Sequence, residues 1–564
     1  MLSDRSILAL AVALHFARGK GGSLPTALQR FTELAVEHLP PFVSDIIGIY
    51  LFARAARFLF KLKRFVLYEV TFREIKNFVG SWLAKLAKFV PGVSGKIDQE
   101  MKKVEADMEH EIKGSIPAED RGRNQLPERG WDSKTLLSKM SSLAANESTR
   151  WKNGYVSGSV YHGGSDMLEL QSSAMKLYDV SNPLHADMWP SLSKYEAEVI
   201  AMTASLVNGG NESVCGTVTS GGTESIFMAA KAHREWAKKT KGVTEPEIVA
   251  PVNAHAAIDK ACEVLGIKLI HVPIDPKTSR VVPSELRKRM SRDTIMIYSS
   301  APSFPHGIID PIEELSKLAK EFNCGLHVDC CLGGFVLPFL KKLGPEYALK
   351  EKFDFELPGV TSMSLDTHKF GYAAKGTSVV LYRNKEFRHY QFFAYPQWTG
   401  GLYITPTMAG SRPGALVAAA WAAMMHTGLD GYLSATKKIV DCARAIKKGI
   451  SEIPELYVCG NPEAMVVGFG AKDIDIYRVG QLMNKKGWAL NMLQRPASAH
   501  ICVTLPVSPF AQRFLDDLKD SVAQLRDQKG KPAGSAPVYG VAAALPDGPL
   551  VDILNMFLDV VYKV

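Results

Sequence analysis

Four short stretches of this chain combine residue types able to act on a ligand with a phosphate, a basic aromatic ring and a carbonyl. The first, Thr219-Ser-Gly-Gly-Thr-Glu-Ser225, is a glycine-rich turn running into the helical pattern Ile-Phe-Met-Ala-Ala-Lys. Such a turn offers a phosphate free backbone N–H groups and the positive end of a helix, and Ser220 and Thr223 add hydroxyl donors. The second, Asn253-Ala-His255, places a histidine just after a strand-like run, where its ring can stack on an aromatic ligand. In the third, His327-Val-Asp329-Cys-Cys331-Leu-Gly-Gly334, an aspartate ends an apolar strand. A carboxylate there is costly unless it meets a cation, and a protonated pyridine nitrogen is such a cation. The fourth runs Ser364-Leu-Asp-Thr-His368-Lys369-Phe-Gly371-Tyr-Ala-Ala-Lys375-Gly376. Lys369 leaves a buried strand for a glycine-containing loop, where burial is expected to lower its pKa and free the amine for imine formation.

Taken singly, each stretch is also an ordinary feature of folds: a capped helix, a loop histidine, an ion-paired aspartate, a solvated lysine. Taken in order, they specify a site for pyridoxal 5'-phosphate (PLP): phosphate turn, stacking histidine, pyridine-facing aspartate, Schiff-base lysine.

Such a site needs a scaffold that gathers strand ends. From about residue 150 the chain alternates short apolar runs with helical patterns. Glu247–Pro251, Ile267–Pro273, Thr294–Ser299, Gly325–Asp329, Gly359–Ser364 and Thr377–Tyr382 read as strands. Runs apolar on both faces and separated by helices predict a large, mostly parallel α/β sheet. A helix-rich section from about Trp421, with later strands at Ala464–Phe469 and His500–Thr504, predicts a smaller α+β C-terminal domain. The expected organisation is 1–64 N-terminal region, 65–150 basic amphipathic segment and linker, 151–420 large domain and 421–564 small domain.

Composition is that of a globular protein, with 46% hydrophobic and 22% charged residues in 564. The formal charge of +9 is concentrated: Arg54 to Lys103 holds 12 Lys/Arg against 4 Asp/Glu, which is +8. No nucleic-acid motif accompanies that charge, so no nucleic-acid partner is expected. Beside it lies the apolar run Phe42–Phe60, long enough to cross a bilayer although Asp45, Arg54 and Arg57 interrupt it. A basic segment following an apolar one fits an anionic membrane surface, with the C-terminal side in the cytosol. The eight cysteines show neither zinc spacing nor a disulfide framework, so no metal is expected and a reducing compartment is.

The motif residues resemble the fold-type I PLP enzymes that include the amino-acid decarboxylases, and among them the sphingosine-1-phosphate lyases. The resemblance runs from about Trp151 to the C-terminus. It is carried also by Gly158-Ser-Val-Tyr161, Ser181-Asn-Pro-Leu-His185-Ala-Asp187, Ser299-Ala-Pro-Ser-Phe-Pro-His-Gly307 and Ala409-Gly-Ser-Arg-Pro-Gly414. It implies that Lys369 carries the cofactor, Asp329 pairs with the pyridine nitrogen and His255 stacks on the ring. Gly222, Thr223 and His368 would hold the cofactor phosphate, with Ser411 of the partner subunit in a homodimer. Tyr161, His185 and Lys375 would hold the substrate phosphate, the first two near the reacting carbons, and Cys331 would pack on the ring. Two departures stand out: Tyr372-Ala-Ala-Lys375 lacks the family's proline before the lysine, and Asp329-Cys-Cys331 replaces Asp-Ala-Cys.

The implied reaction breaks the C2–C3 bond of a phosphorylated sphingoid base, giving a fatty aldehyde and phosphoethanolamine. The implied location is the endoplasmic reticulum membrane, with the catalytic domain facing the cytosol. Two alternatives remain at this stage: a PLP-dependent amino-acid decarboxylase, and a catalytically silent membrane-anchored scaffold on the same fold. The base for the C3 hydroxyl stays open among Lys369, Tyr161 and His185.

Overall fold

The computed structural model describes residues 93–117, 120–210, 213–526 and 547–564. The run Phe42–Phe60 and the segment 65–92 lie outside the described residues. Among those that are described, no helix is long and apolar enough to cross a membrane.

The main sheet has seven strands: β1 (Cys215–Thr219), β2 (Glu247–Pro251), β3 (Lys268–Val272), β4 (Thr294–Ser300), β5 (Gly325–Asp329), β6 (Val360–Leu365) and β7 (Ser378–Tyr382). Their spatial order is β1-β7-β6-β5-β4-β2-β3. Pairs β2/β3, β2/β4, β4/β5 and β5/β6 are parallel, whereas β7 runs antiparallel to both β6 and β1. The six strands other than β7 therefore point the same way and deliver their carboxyl ends to one edge, where open α/β sheets bind ligands. The mostly parallel expectation holds, and so do the strands read from the sequence, within a residue or two. β1 is an addition: Cys-Gly-Thr-Val-Thr carries no continuous apolar run, yet all five residues are buried.

Helices cover both faces because strands such as β4 and β5 are buried at every position. The helix Gly222–Lys241 buries Ile226, Met228, Ala229 and Ala230 and ends at the left-handed Gly242. The helical section starts at Gly414, seven residues before the expected Trp421, and runs to Ser451 with a break at Gly428 (φ 60°, ψ 178°).

A hairpin, β8 (Phe393–Tyr395) with β9 (Tyr403–Thr405), precedes that helix. Beyond it lie β10 (Leu456–Val458), β11 (Val466–Ala471), β12 (Asn491–Leu493) and β13 (Ser498–Cys502), an antiparallel sheet in the order β10-β11-β13-β12. Trp488 is fully buried beside Phe514 of the helix Ala511–Ala523, with ring centroids 5.1 Å apart. This sheet holds the segment that carries Tyr161. The Gly158 N–H donates to the Cys502 carbonyl at 2.9 Å and the Leu505 N–H to the Tyr161 carbonyl at 3.2 Å, which fixes the segment carrying Tyr161.

The helix Asp547–Tyr562 packs on the helix Val93–Lys113, not on the small sheet. Ile553 and Val560 meet the stripe Met101, Val104, Met108 and Ile112. That spacing of three and four residues makes one apolar helix face, which here lies against protein.

Candidate active site

The carboxyl ends of β1, β2, β4, β5 and β6 surround a cavity of about 320 Å³. It is lined by the turn Ser220–Glu224, Ile226, His255, Pro302, Phe304, Asp329, Cys331, Leu332, Asp366, His368 and Lys369. All four motifs therefore converge on one space, although they are spread over about 150 residues of sequence.

The phosphate turn ends β1 and opens the helix Gly222–Lys241, which has no side-chain cap. Gly222 is required there by close approach. A Cβ at that position would stand 2.7 Å from Cys331 Sγ and 2.8 Å from Asp366 Oδ1. His255 is exposed at the cavity rim, four residues past β2, and its Nδ1 accepts from the Ala257 N–H at 3.1 Å.

Asp329 is the last residue of β5 and is buried. Oδ1 accepts from the Cys331 N–H (3.0 Å) and the Ser364 hydroxyl (3.2 Å), and Oδ2 accepts from the Tyr298 hydroxyl. Burial by itself would raise this carboxyl; the facing His255 and the donors from Tyr298 and Cys331 outweigh it and hold the pKa below the ordinary range. Behind Asp329, the fully buried His327 shares Ser364 (3.2 Å) and Ser362 (2.8 Å), and burial lowers its pKa to about 4. Tyr298, Ser364 and His327 carried no assigned role in the reading of the sequence. The signal for them was present. His327 and Asp329 alternate on β5, and Ser362 and Ser364 on β6, so polar residues at spacing two share one face of adjacent buried strands.

Lys369 follows β6 in a tight turn, its N–H donating to the Asp366 carbonyl at 3.2 Å. Its amine overturns the expectation of a lowered pKa. Burial does push it down, but the Asp366 carboxylate 2.8 Å away, with Cys331 and Tyr161 nearby, outweighs burial and raises it well above the ordinary lysine value. The depressed lysine is Lys375. Burial and the neighbouring Lys369 lower it to about 8, and its Nζ sits 4.5 Å over the Tyr161 ring and donates to the His368 carbonyl at 3.4 Å. His368 accepts at Nδ1 from the Thr377 N–H (3.1 Å), leaving Nε2 3.6 Å from Asp366 Oδ2.

Of the residues expected at the substrate phosphate, Tyr161 and Lys375 are in contact. Tyr161 is buried against Phe370 (4.8 Å between ring centroids), and burial raises its phenol well above the ordinary value. None of the three is among the residues lining the cavity, and His185 does not join the other two within one chain: it is exposed, 6.4 Å from the Trp189 ring. Ser411 is likewise exposed, between β9 and the helix Gly414–Ser451. The eight cysteines are buried and unpaired. No cluster of metal-ligating side chains is present among the described residues.

The donor set fits PLP on this structure's own terms. An uncapped helix start faces the cavity, a hydrogen-bonded carboxylate held ionised stands on its wall, and the lysine amine reaches the same space. Asp366, which also lines that space, has one buried carboxylate oxygen, Oδ1, with no hydrogen-bond partner.

Comparison with known proteins agrees. Residues 121–472 match the family model of the pyridoxal-dependent decarboxylase conserved domain. The sphingosine-1-phosphate lyase of Dictyostelium discoideum is 43% identical over 493 residues, covering 87% of this chain and 91% of that protein. A solved sphingosine-1-phosphate lyase from Burkholderia pseudomallei superposes with a TM-score of 0.72 at 38% identity, covering 78% of this chain and 98% of that one. Glutamate decarboxylase of Lactobacillus brevis, 20% identical with a TM-score of 0.62 over 73% of this chain and 98% of that one, shares the fold. The chain belongs to the pyridoxal-dependent decarboxylase family and, within it, to the sphingosine-1-phosphate lyases.

Proposed function

We propose that this protein is a PLP-dependent lyase that cleaves the C2–C3 bond of sphingosine 1-phosphate and related long-chain base phosphates, releasing a fatty aldehyde and phosphoethanolamine. The observation that carries the reading is the convergence of His255, Asp329, His368, Lys369 and the Ser220–Thr223 turn on one cavity, in a chain that belongs to this family.

When bound, PLP supplies a carbonyl that captures the substrate amine and a sink for the electrons released as the bond at C2 breaks. The chain's residues divide the remaining work. Asp329, held ionised by Tyr298, Ser364 and the Cys331 N–H, would keep the cofactor's ring nitrogen protonated. His255 and Cys331 would contact the ring, while Gly222, Thr223 and His368 would hold the cofactor phosphate. Lys369 would hold the cofactor through its amine. Lys375, packed on Tyr161, binds the substrate phosphate. Tyr161 is a neutral phenol at neutral pH and so can donate a proton near the reacting carbons.

Two further parts of the reading rest on the exposed surface and on the N-terminal sequence. The hairpin β8–β9 and its flank expose Phe393, Tyr395, Trp398, Leu402, Ile404 and Met408, and the Met408 N–H donates to Glu224 beside the phosphate turn. An apolar patch of that extent beside a site supports a homodimer in which Ser411 and His185 complete the partner's cavity. The apolar run at 42–60 and the +8 segment after it support attachment to the endoplasmic reticulum membrane with the catalytic part in the cytosol. An enzyme tethered there meets a lipid headgroup without extracting the chain into water.

The test is to incubate purified protein and PLP with sphingosine 1-phosphate and to assay long-chain aldehyde and phosphoethanolamine together. Absence of both products, or carbon dioxide released from an amino acid instead, overturns the proposal. Sedimentation should report a dimer, and flotation on anionic vesicles should require residues 1–64.

A further inference from the structure

His327 takes no part in the chemistry assigned above. It is fully buried, two residues before Asp329 and on the same face of β5. The strand register sets it beside Tyr298 of β4 and Ser362 of β6, and sets Asp329 beside Ser364 in the next row. Each ring nitrogen meets a serine hydroxyl: Nδ1 is 2.8 Å from Ser362 Oγ, and Nε2 is 3.2 Å from Ser364 Oγ. Burial keeps the ring neutral at neutral pH, so one nitrogen carries the proton and the other does not.

Ser364 decides which. Its hydroxyl has a single hydrogen, and the ionised Asp329 can only accept, so that hydrogen goes to Oδ1 at 3.2 Å. The Cys331 thiol donates to Ser364 Oγ at 3.3 Å. One lone pair of Oγ remains, and His327 satisfies it only by donating from Nε2. Nδ1 is then unprotonated and accepts from the Ser362 hydroxyl. The opposite tautomer would draw the Ser364 hydrogen to itself and take from Asp329 one of the donors that hold its charge.

We propose that His327 is a positioning residue for the cofactor ring: as the neutral Nε2–H tautomer it fixes the Ser364 hydroxyl on Asp329 and so keeps that carboxylate ready to pair with a pyridine nitrogen. The inference rests on the function proposed above and deepens it, naming what stands behind Asp329.

Two substitutions separate a donor from a filler. His327→Gln offers an N–H in the place of Nε2–H, whereas His327→Met fills similar space without one. Each apoprotein is titrated with PLP by fluorescence, and the loaded protein's spectrum is recorded, since a protonated ring nitrogen favours the visible band over the near-ultraviolet one. His327→Met should bind PLP about three- to tenfold more weakly and shift absorbance out of the visible band. His327→Gln should restore both. A His327→Met protein with wild-type affinity and spectrum overturns the proposal, and so does a His327→Gln protein no better than His327→Met. Neutron diffraction from perdeuterated wild-type crystals needs no variant. A deuteron on Nε2 alone is expected, and one on Nδ1 overturns the assignment. Lyase turnover of sphingosine 1-phosphate by wild type is measured alongside. Turnover together with a deuteron on Nδ1 sinks only the role of His327, whereas no turnover sinks the functional reading beneath it.

Discussion

Replacing Lys375 with methionine keeps a stem that can pack on Tyr161 and removes one charge. In the native site that charge sits 4.5 Å over the Tyr161 ring, and burial together with Lys369 lowers its pKa to about 8. A hydrogen bond to a charged group contributes about 1.5–3 kcal/mol, so Lys375→Met should lower kcat/KM for a phosphorylated substrate roughly ten- to a hundredfold at pH 7. The pH dependence has a definite sign. Lys375 is cationic below about pH 8 and neutral above it, so wild-type kcat/KM, which reports the free enzyme, should fall as pH rises through that value. The variant lacks that limb, and the two profiles should approach one another above it. Stability runs the other way. A lysine whose folded pKa lies below its unfolded one costs stability as pH falls below the unfolded value, so the variant should be no less stable at pH 7. Initial rates on sphingosine 1-phosphate in mixed micelles from pH 6.5 to 9.5, with visible spectra of each protein, measure all of this. Loss of the cofactor's visible band in the variant would refute the reasoning by placing Lys375 at the cofactor. A wild-type profile that stays flat or rises through pH 8 would refute it as well.

Lys369→Ala should abolish the visible imine band, and borohydride should then fix no cofactor to the protein; a band that persists would mean another amine carries it. Tyr298→Phe removes a donor from a buried carboxylate and should cost about 1–3 kcal/mol in denaturant unfolding at pH 7. Asp329 has a lowered pKa, so its stabilisation is present above the unfolded carboxyl value and is lost as pH falls through the folded one. The Tyr298→Phe deficit should hold down to the ordinary carboxyl value and shrink only as pH falls below it, and a deficit that does not shrink there would contradict the assignment. Gly222→Ala sets a methyl 2.7 Å from Cys331 Sγ, a strain of about 1–3 kcal/mol, and should weaken PLP binding about tenfold or more by fluorescence titration of the apoprotein.

Sequence alone determined which residues line the cavity at the strand ends. His255, Asp329 and Lys369 stand directly on, or a few residues past, runs whose apolar character already marks them as strands buried on both faces. Local pattern suffices there, because a parallel sheet delivers its carboxyl ends to one edge whatever the loops do. Strand β1 escaped for the complementary reason: Cys-Gly-Thr-Val-Thr has little apolar signal, and it is a strand only because β7 pairs with it on one side. The protonation of Lys369 was misjudged because burial can be read from a run of residues, whereas the direction of the Asp366 side chain three positions earlier cannot. Tertiary structure likewise decided that Tyr161 meets Lys375 while His185 stays exposed, and that the helix Asp547–Tyr562 turns away from the small sheet to cover Val93–Lys113. Each is a contact between residues hundreds of positions apart or between side chains whose aim depends on packing. Periodicity reports only the face a residue occupies, and a charge responds to whatever stands within a few ångströms of it.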